Sequence, residues 1–191
     1  MHLSDTVASN KQVTLHLNKT GNMETTTQNQ TGQIIKQVLN AWTAQNKKVS
    51  DFFNQYEDDA YLKEIAPNKN RAIYLLGHLT AVNDGLLPLM GFGDKLYPEL
   101  AEVYIRRPDR SVADKHTVGE LKQKWESINE TLNKHFEQLN NEDWLDRHMS
   151  VSPEDFKLQP MRNKLNVMID RTVHQSYHLG QLNLMEAPVT A

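Results

Sequence analysis

The chain has 191 residues, a formal net charge of −3 and a hydrophobic share of 38%, which supports one sizeable core together with some polar loop or tail. It contains no cysteine, so disulfides, thiolate metal ligands and a cysteine nucleophile are excluded, and a transition metal must be held by His, Asp or Glu. The charge lies in no strong block, so nothing favours nucleic acid or an acidic membrane surface as a partner.

The first 30 or so residues are rich in Thr, Asn, Gln and Ser with little periodicity, and read as a flexible N-terminal tail over 1–30, with Met23 an alternative start. The opening "MHLSDTVASNKQ" has no continuous apolar stretch of the secretory kind, and no segment approaches the roughly 20 apolar residues of a membrane span. A cytoplasmic protein is expected.

From Ile35 the pattern changes. Ile35, Val38, Trp42, Val49, Phe52 and Tyr56 recur at helical spacings, predicting a first helix over 32–57. A second, "NRAIYLLGHLTAVNDGLLPLM", is predicted over about 70–90, with Leu75, His78, Val82 and Leu86 on one face. A Gly- and Pro-broken connection follows, in which "PELAEVYI" can form a short helix starting at Pro98. Thr117 to Glu120 reads as a capping box, opening a third helix to about residue 140 with Val118, Leu121, Trp125, Ile128, Leu132 and Leu139 on its seam. A linker then leads to a fourth helix over about 161–186. No convincing strand pattern or repeat is visible. Four apolar stripes of similar length must bury one another, which predicts an all-α four-helix bundle over 31–191. The connections after the second and third helices are long enough for a crossover.

Eight histidines are present. His2 and His16 fall in the tail, His116 and His148 in linkers, and nothing in their positions gives them a partner. His135 lies near the seam of the third helix, but Phe136 can take the inward position there. His174 and His178 are four apart, so both imidazoles share one helix face and can reach one ion. Such pairs also occur on solvated faces, and that reading stays open for the pair alone. His78 lies on the apolar face of the second helix. Gly77 and Gly180 stand near these histidines although glycine costs about 1 kcal/mol in a helix interior; each can clear room for a close helix approach or for a ligand. One histidine from the second helix and two from the fourth make a three-nitrogen set with an open position, the arrangement of a catalytic rather than a closed structural metal site. Gln181 can orient a ligand or bound water, and Asn83 and Asp84 can support the site from just beyond His78. Solvated helix polar groups are the competing reading for that last pair.

"YLLGHLTAVND", followed by "RTVHQSYHLGQL", resembles the DinB/YfiT-like superfamily, whose pattern is a "GH" in helix 2 and "HxxxHxGQ" in helix 4. It matches at His78, His174, His178, Gly180 and Gln181, and covers about residues 30–187. The resemblance implies a four-helix bundle with a crossover topology, a homodimer, a three-histidine metal site and a small-molecule substrate. Zinc or nickel are the first candidates for the metal, with iron, manganese and cobalt compatible with the same imidazoles. Characterised members resemble transferases in which the metal activates a low-molecular-weight thiol; one branch isomerises maleylpyruvate with mycothiol. A metal-dependent hydrolase activating water is the second expectation, and a non-catalytic stress-response metal-binding or interaction module the third.

Overall fold

The computed structural model describes the backbone of residues 5–186 and the side chains of residues 27–186. Helix accounts for 65% of the chain and no strand occurs among the described residues, so the fold is all-α. None of the described helices is long and apolar enough to cross a membrane. The chain divides into two compact units, Met1–Gln37 and Val38–Ala191. The first is the N-terminal part of helix α1, Asp5–Phe53. Most of the tail expected over 1–30, with its His2 and His16, lies outside the residues whose side chains are described.

The second unit carries the core. Trp42, Val49 and Phe53 of α1 are buried, and a 3-10 turn, Asp58–Leu62, follows. The Tyr61 hydroxyl in that turn donates to the Phe52 carbonyl (2.7 Å) and accepts from the Tyr56 N–H (2.9 Å). These bonds satisfy backbone groups that the end of a helix would leave unpaired. The single long second helix predicted over about 70–90 is two: α2, Ala72–Asp84, and α3, Leu86–Met90, which meet at Gly85. α3 stops at Gly91, whose φ of 84° is the left-handed conformation that glycine adopts without a Cβ penalty.

The short helix expected in the next connection is α4, Leu100–Tyr104. Its seat on α2 explains Gly77. A Cβ added there would lie 2.5 Å from the Tyr104 ring, whereas one added at Gly180 would meet nothing within 4 Å. Gly77 is thus required by the close approach of α4, and only Gly180 faces open space. The segment after α4 is tied back by charge. The Arg71 guanidinium bonds Asp109 and Asp114 at 2.7 Å each, the Arg71 N–H donates to Asp109 (2.8 Å), and the Tyr74 hydroxyl donates to the Arg107 carbonyl (2.7 Å).

The predicted capping box is formed: the Thr117 side chain accepts from the Glu120 N–H, and the Glu120 carboxylate accepts from the Thr117 N–H at the start of α5, Val118–Phe136. Of the expected seam, Val118, Leu121, Trp125, Ile128 and Leu132 are buried, whereas Leu139 lies past the end of the helix and is only partly buried; α5 packs along α2. Trp125 Nε1 donates to Ser50 Oγ of α1 (2.9 Å), and Trp42 meets Phe136 edge-on. Two short helices not expected from the sequence, α6 (Asn141–Leu145) and α7 (Pro153–Leu158), occupy the last linker. Both open on a side-chain cap, Asn140 and Ser152. Helix α8, Lys164–Leu182, then packs on α2 and α6.

The two glycines make a paired test by urea unfolding. Gly77→Ala should destabilise the protein by about 1–3 kcal/mol, because the Tyr104 ring must move. Gly180→Ala should stabilise it by about 0.5–1 kcal/mol, because helix propensity improves with no new contact. Equal effects of the two would refute the Tyr104 explanation.

Candidate metal centre

His78 stands in the middle of α2, and His174 and His178 stand one turn apart near the end of α8. The packing of these two helices brings all three half-buried rings together. The Nε2 atoms of His78 and His174 are 3.2 Å apart and those of His174 and His178 are 3.1 Å apart. The three ligand atoms lie within 4.8 Å of one another. Metal–nitrogen bonds of about 2.0–2.1 Å place nitrogens about 3.3–3.4 Å apart at tetrahedral angles and about 2.9 Å apart at right angles. The two short separations fall between these values, so the group can hold a metal ion while the spacing selects no single metal.

The outer nitrogens of two rings are fixed by acceptors. His78 Nδ1 lies 2.8 Å from the Tyr104 carbonyl oxygen, and His178 Nδ1 lies 2.7 Å from Gln181 Oε1. A carbonyl oxygen can only accept, so each Nδ1 carries the hydrogen and each Nε2 presents its lone pair. The Gln181 amide is itself held by its Nε2 donating to the Tyr177 hydroxyl (3.2 Å). His174 differs: its Nδ1 is buried without a partner. Its Nε2 faces two lone pairs at once. In the metal-free protein that nitrogen must carry a hydrogen, and even then it can satisfy one neighbour well and the other poorly. A cation at the centre satisfies all three lone pairs together.

The electrostatics agree with a neutral, metal-receptive set. Burial, then the neighbouring His178, His78 and Arg171, push the His174 pKa down to about 4. Burial also lowers that of His178, against the opposing bond to Gln181. Neutral imidazole is the form that binds a metal.

The other sequence candidates are placed as follows. Gln181 is in the site, as the acceptor for His178. Asn83 is fully buried rather than solvated, but its hydrogen bonds go elsewhere than to the three rings: it accepts from Gln175 Nε2 (3.2 Å) and donates to Asn129 Oδ1 (2.8 Å). It therefore ties the neighbour of His174 to α2 and α5. Asp84 is turned away from the histidines and accepts from the N–H groups of Leu96 (2.8 Å) and Tyr97 (3.1 Å), securing the loop before α4. His135 stacks on Phe92, with ring centroids 4.6 Å apart, and Phe136 points inward as expected. His116 gains a partner that its position in a linker did not suggest, the Tyr104 hydroxyl at 3.4 Å. His148 meets Ser150 Oγ at 2.9 Å.

Among solved structures, the chain is similar to a conserved protein from Enterococcus faecalis, with a TM-score of 0.53 and 13% identity over 78% of this chain and 95% of that one. At that identity the likeness shows a shared fold and nothing about activity. No family model matches the chain, and no curated protein does.

Tyr104 is the residue of the candidate site that sequence reasoning missed. It acts through its backbone carbonyl, which no side-chain motif reports, and its only trace is Gly77, a helix-interior glycine that marks a close approach without saying what approaches.

The depressed His174 pKa has a signed consequence for stability. An unfolded imidazole takes up its proton near 6.5 and the folded one only near 4. Between those values the unfolded chain binds more protons, so the metal-free protein loses stability as pH falls through that window. Urea midpoints measured from pH 7 to 4 should drop less steeply in His174→Gln than in the parent protein. Parallel curves would show that His174 is not held neutral.

Proposed function

We propose that the protein is a metal-dependent enzyme of the DinB-like kind, in which His78, His174 and His178 hold a divalent transition metal. The observation that carries this reading is the convergence of the three Nε2 atoms while the Nδ1 atoms of His78 and His178 are occupied by fixed acceptors. Two hydrogen-bonded histidines with their free nitrogens aimed at one point form the supporting arrangement that metal-ligating imidazoles use. With three ligands from the protein, the bound metal would act as a Lewis acid at an open position, favouring the anionic form of a thiol or of water. Transfer from a low-molecular-weight thiol is the first reading, from the sequence resemblance; hydrolysis is the second, and uses the same residues. A small-molecule substrate and a homodimer belong to the same reading and rest on that resemblance.

The roles of the residues follow from their contacts. The Tyr104 carbonyl and Gln181 hold the rings of His78 and His178 so that neither must reorient when the ion enters. Gly180 leaves the surface beside His178 free of side-chain bulk. The chain Gln175–Asn83–Asn129, which ends on the Trp125 carbonyl (2.8 Å), locks the register of α8 against α2 and α5.

Metal content after zinc or nickel loading, with thiol-conjugation activity measured alongside, tests the assignment. The parent protein should retain about one ion per chain, and His178→Ala should lose both metal and activity. Equal metal content in the two proteins refutes the site. Gln181→Leu should keep the three ligands but weaken metal affinity by about 10–100-fold, because it removes the acceptor that orients His178. An unchanged affinity would deny Gln181 that role.

A further inference from the structure

The inward face of α8 carries a charge that the three-histidine reading does not use. Met168, Gln175 and Leu182 of this helix are completely buried. Arg171 lies between the first two, three residues after Met168 and four before Gln175. It is therefore central to the buried face, and at 3.6 residues per turn it lies within about 60° of both His174 and His178. Its Nε is buried and has no hydrogen-bond partner. Among the described residues no carboxylate pairs with it; burial lowers its pKa, against the opposing charge of the exposed Asp170 beside it in sequence. Arg171 as a whole is half-buried, so the unmet need is that of its Nε–H, a donor that is costly to bury without an acceptor.

One turn further along the same face lies a second unpartnered buried nitrogen, His174 Nδ1. When His174 Nε2 serves as a metal ligand, Nδ1 carries the ring hydrogen and becomes a donor. Arg171 Nε–H and His174 Nδ1–H are then two buried donors on adjacent turns of one helix, with no acceptor for either among the described residues. The neighbourhood is also poor in negative charge: the ligand group is three neutral imidazoles with no carboxylate among them, so a bound dication keeps its full charge. Arginine beside a second N–H donor is the arrangement that recognises a carboxylate or phosphate.

We propose that Arg171, with His174 Nδ1, forms a seat for an oxyanion, a carboxylate or phosphate group of the small-molecule substrate, next to the three-histidine site. This deepens the metalloenzyme reading and rests on it for the substrate's role. The seat makes anion binding and metal binding mutually reinforcing, since metal at Nε2 turns His174 Nδ1 into a donor. Arg171 is then a specificity residue: it selects anionic substrates over neutral ones of the same shape.

The test is calorimetric titration with inorganic phosphate and with succinate, using succinamide as the neutral control. It is run on metal-free and zinc-loaded full-length protein, with zinc content measured separately. The metal-free arm, in which His174 Nδ1 carries no hydrogen, reads the Arg171 half of the seat alone, so a failure of the metal assignment, read from the zinc content, leaves that result standing. We expect saturable phosphate or succinate binding, none for succinamide, and tighter anion binding after zinc loading. Arg171→Gln should weaken anion affinity by about tenfold, and Arg171→Lys should recover part of the loss, because a charge remains without the planar fork. Phosphate and succinate separate the two anion classes by which binds more tightly. In the parent protein, the imidazole 15N signals of His174 should shift on adding phosphate to the zinc-loaded form, a readout that needs no variant to fold. Absence of saturable anion binding to the parent protein overturns the proposal. So does an Arg171→Gln affinity within about twofold of the parent's.

Discussion

The hydrogen bond from His78 Nδ1 to the Tyr104 carbonyl joins α2 to α4, and the geometry of the three-histidine cluster depends on it. It fixes the tautomer of His78 and so aims Nε2 at the rings from α8. The bond exists only because Gly77 lets the Tyr104 ring lie against α2. The segment after that ring is held in turn by the carboxylates that pair with Arg71 and by the Tyr74 hydroxyl. A glycine, a backbone carbonyl and an ion cluster, none of them chemically reactive, thus decide where a histidine points.

Helix α8 shows how a buried face can serve a site at the expense of packing. A seam that would ordinarily be apolar carries Arg171, Gln175 and His178 between Met168 and Leu182. Each polar group there must find a partner to offset its desolvation. Gln175 finds Asn83, and His178 finds Gln181. The Nε of Arg171 and the Nδ1 of His174 find none among the described residues. A face that departs from the apolar rule in this way is expected where function rather than stability sets the residue.

Much of this was legible before the structure. The helical periodicities around Trp42, Leu75, Leu121 and Met168 reflect faces that water rejects, and such faces are visible in one dimension. The capping box at Thr117 was legible because its partners are three residues apart. The "HxxxHxGQ" string likewise reports local geometry: His178 and Gln181 meet because one helical turn separates them. The break at Gly85, by contrast, was missed because the apolar pattern runs on through it. α6 and α7 were missed because helices of five or six residues are too short for periodicity to show. Asn83 and Asp84 read as support for the site, with solvated groups as the competing reading; their actual partners, Asn129 and Gln175 for the first and the Leu96 and Tyr97 amides for the second, lie in other segments.

By itself the sequence determined that the chain is helical, that it has no thiol chemistry of its own, and which three histidines are candidates to share one point. These follow from composition and from spacing along a helix, where neighbours are set by the chain's own geometry. Only the tertiary structure decided that the three histidine rings converge, that the Tyr104 carbonyl holds His78 while Asp84 accepts from the Leu96 and Tyr97 amides, and that no carboxylate among the described residues pairs with Arg171. Those outcomes depend on which groups from distant segments meet. Burial energy, ion pairing and steric fit set such meetings jointly across the fold, and no single stretch of sequence records them.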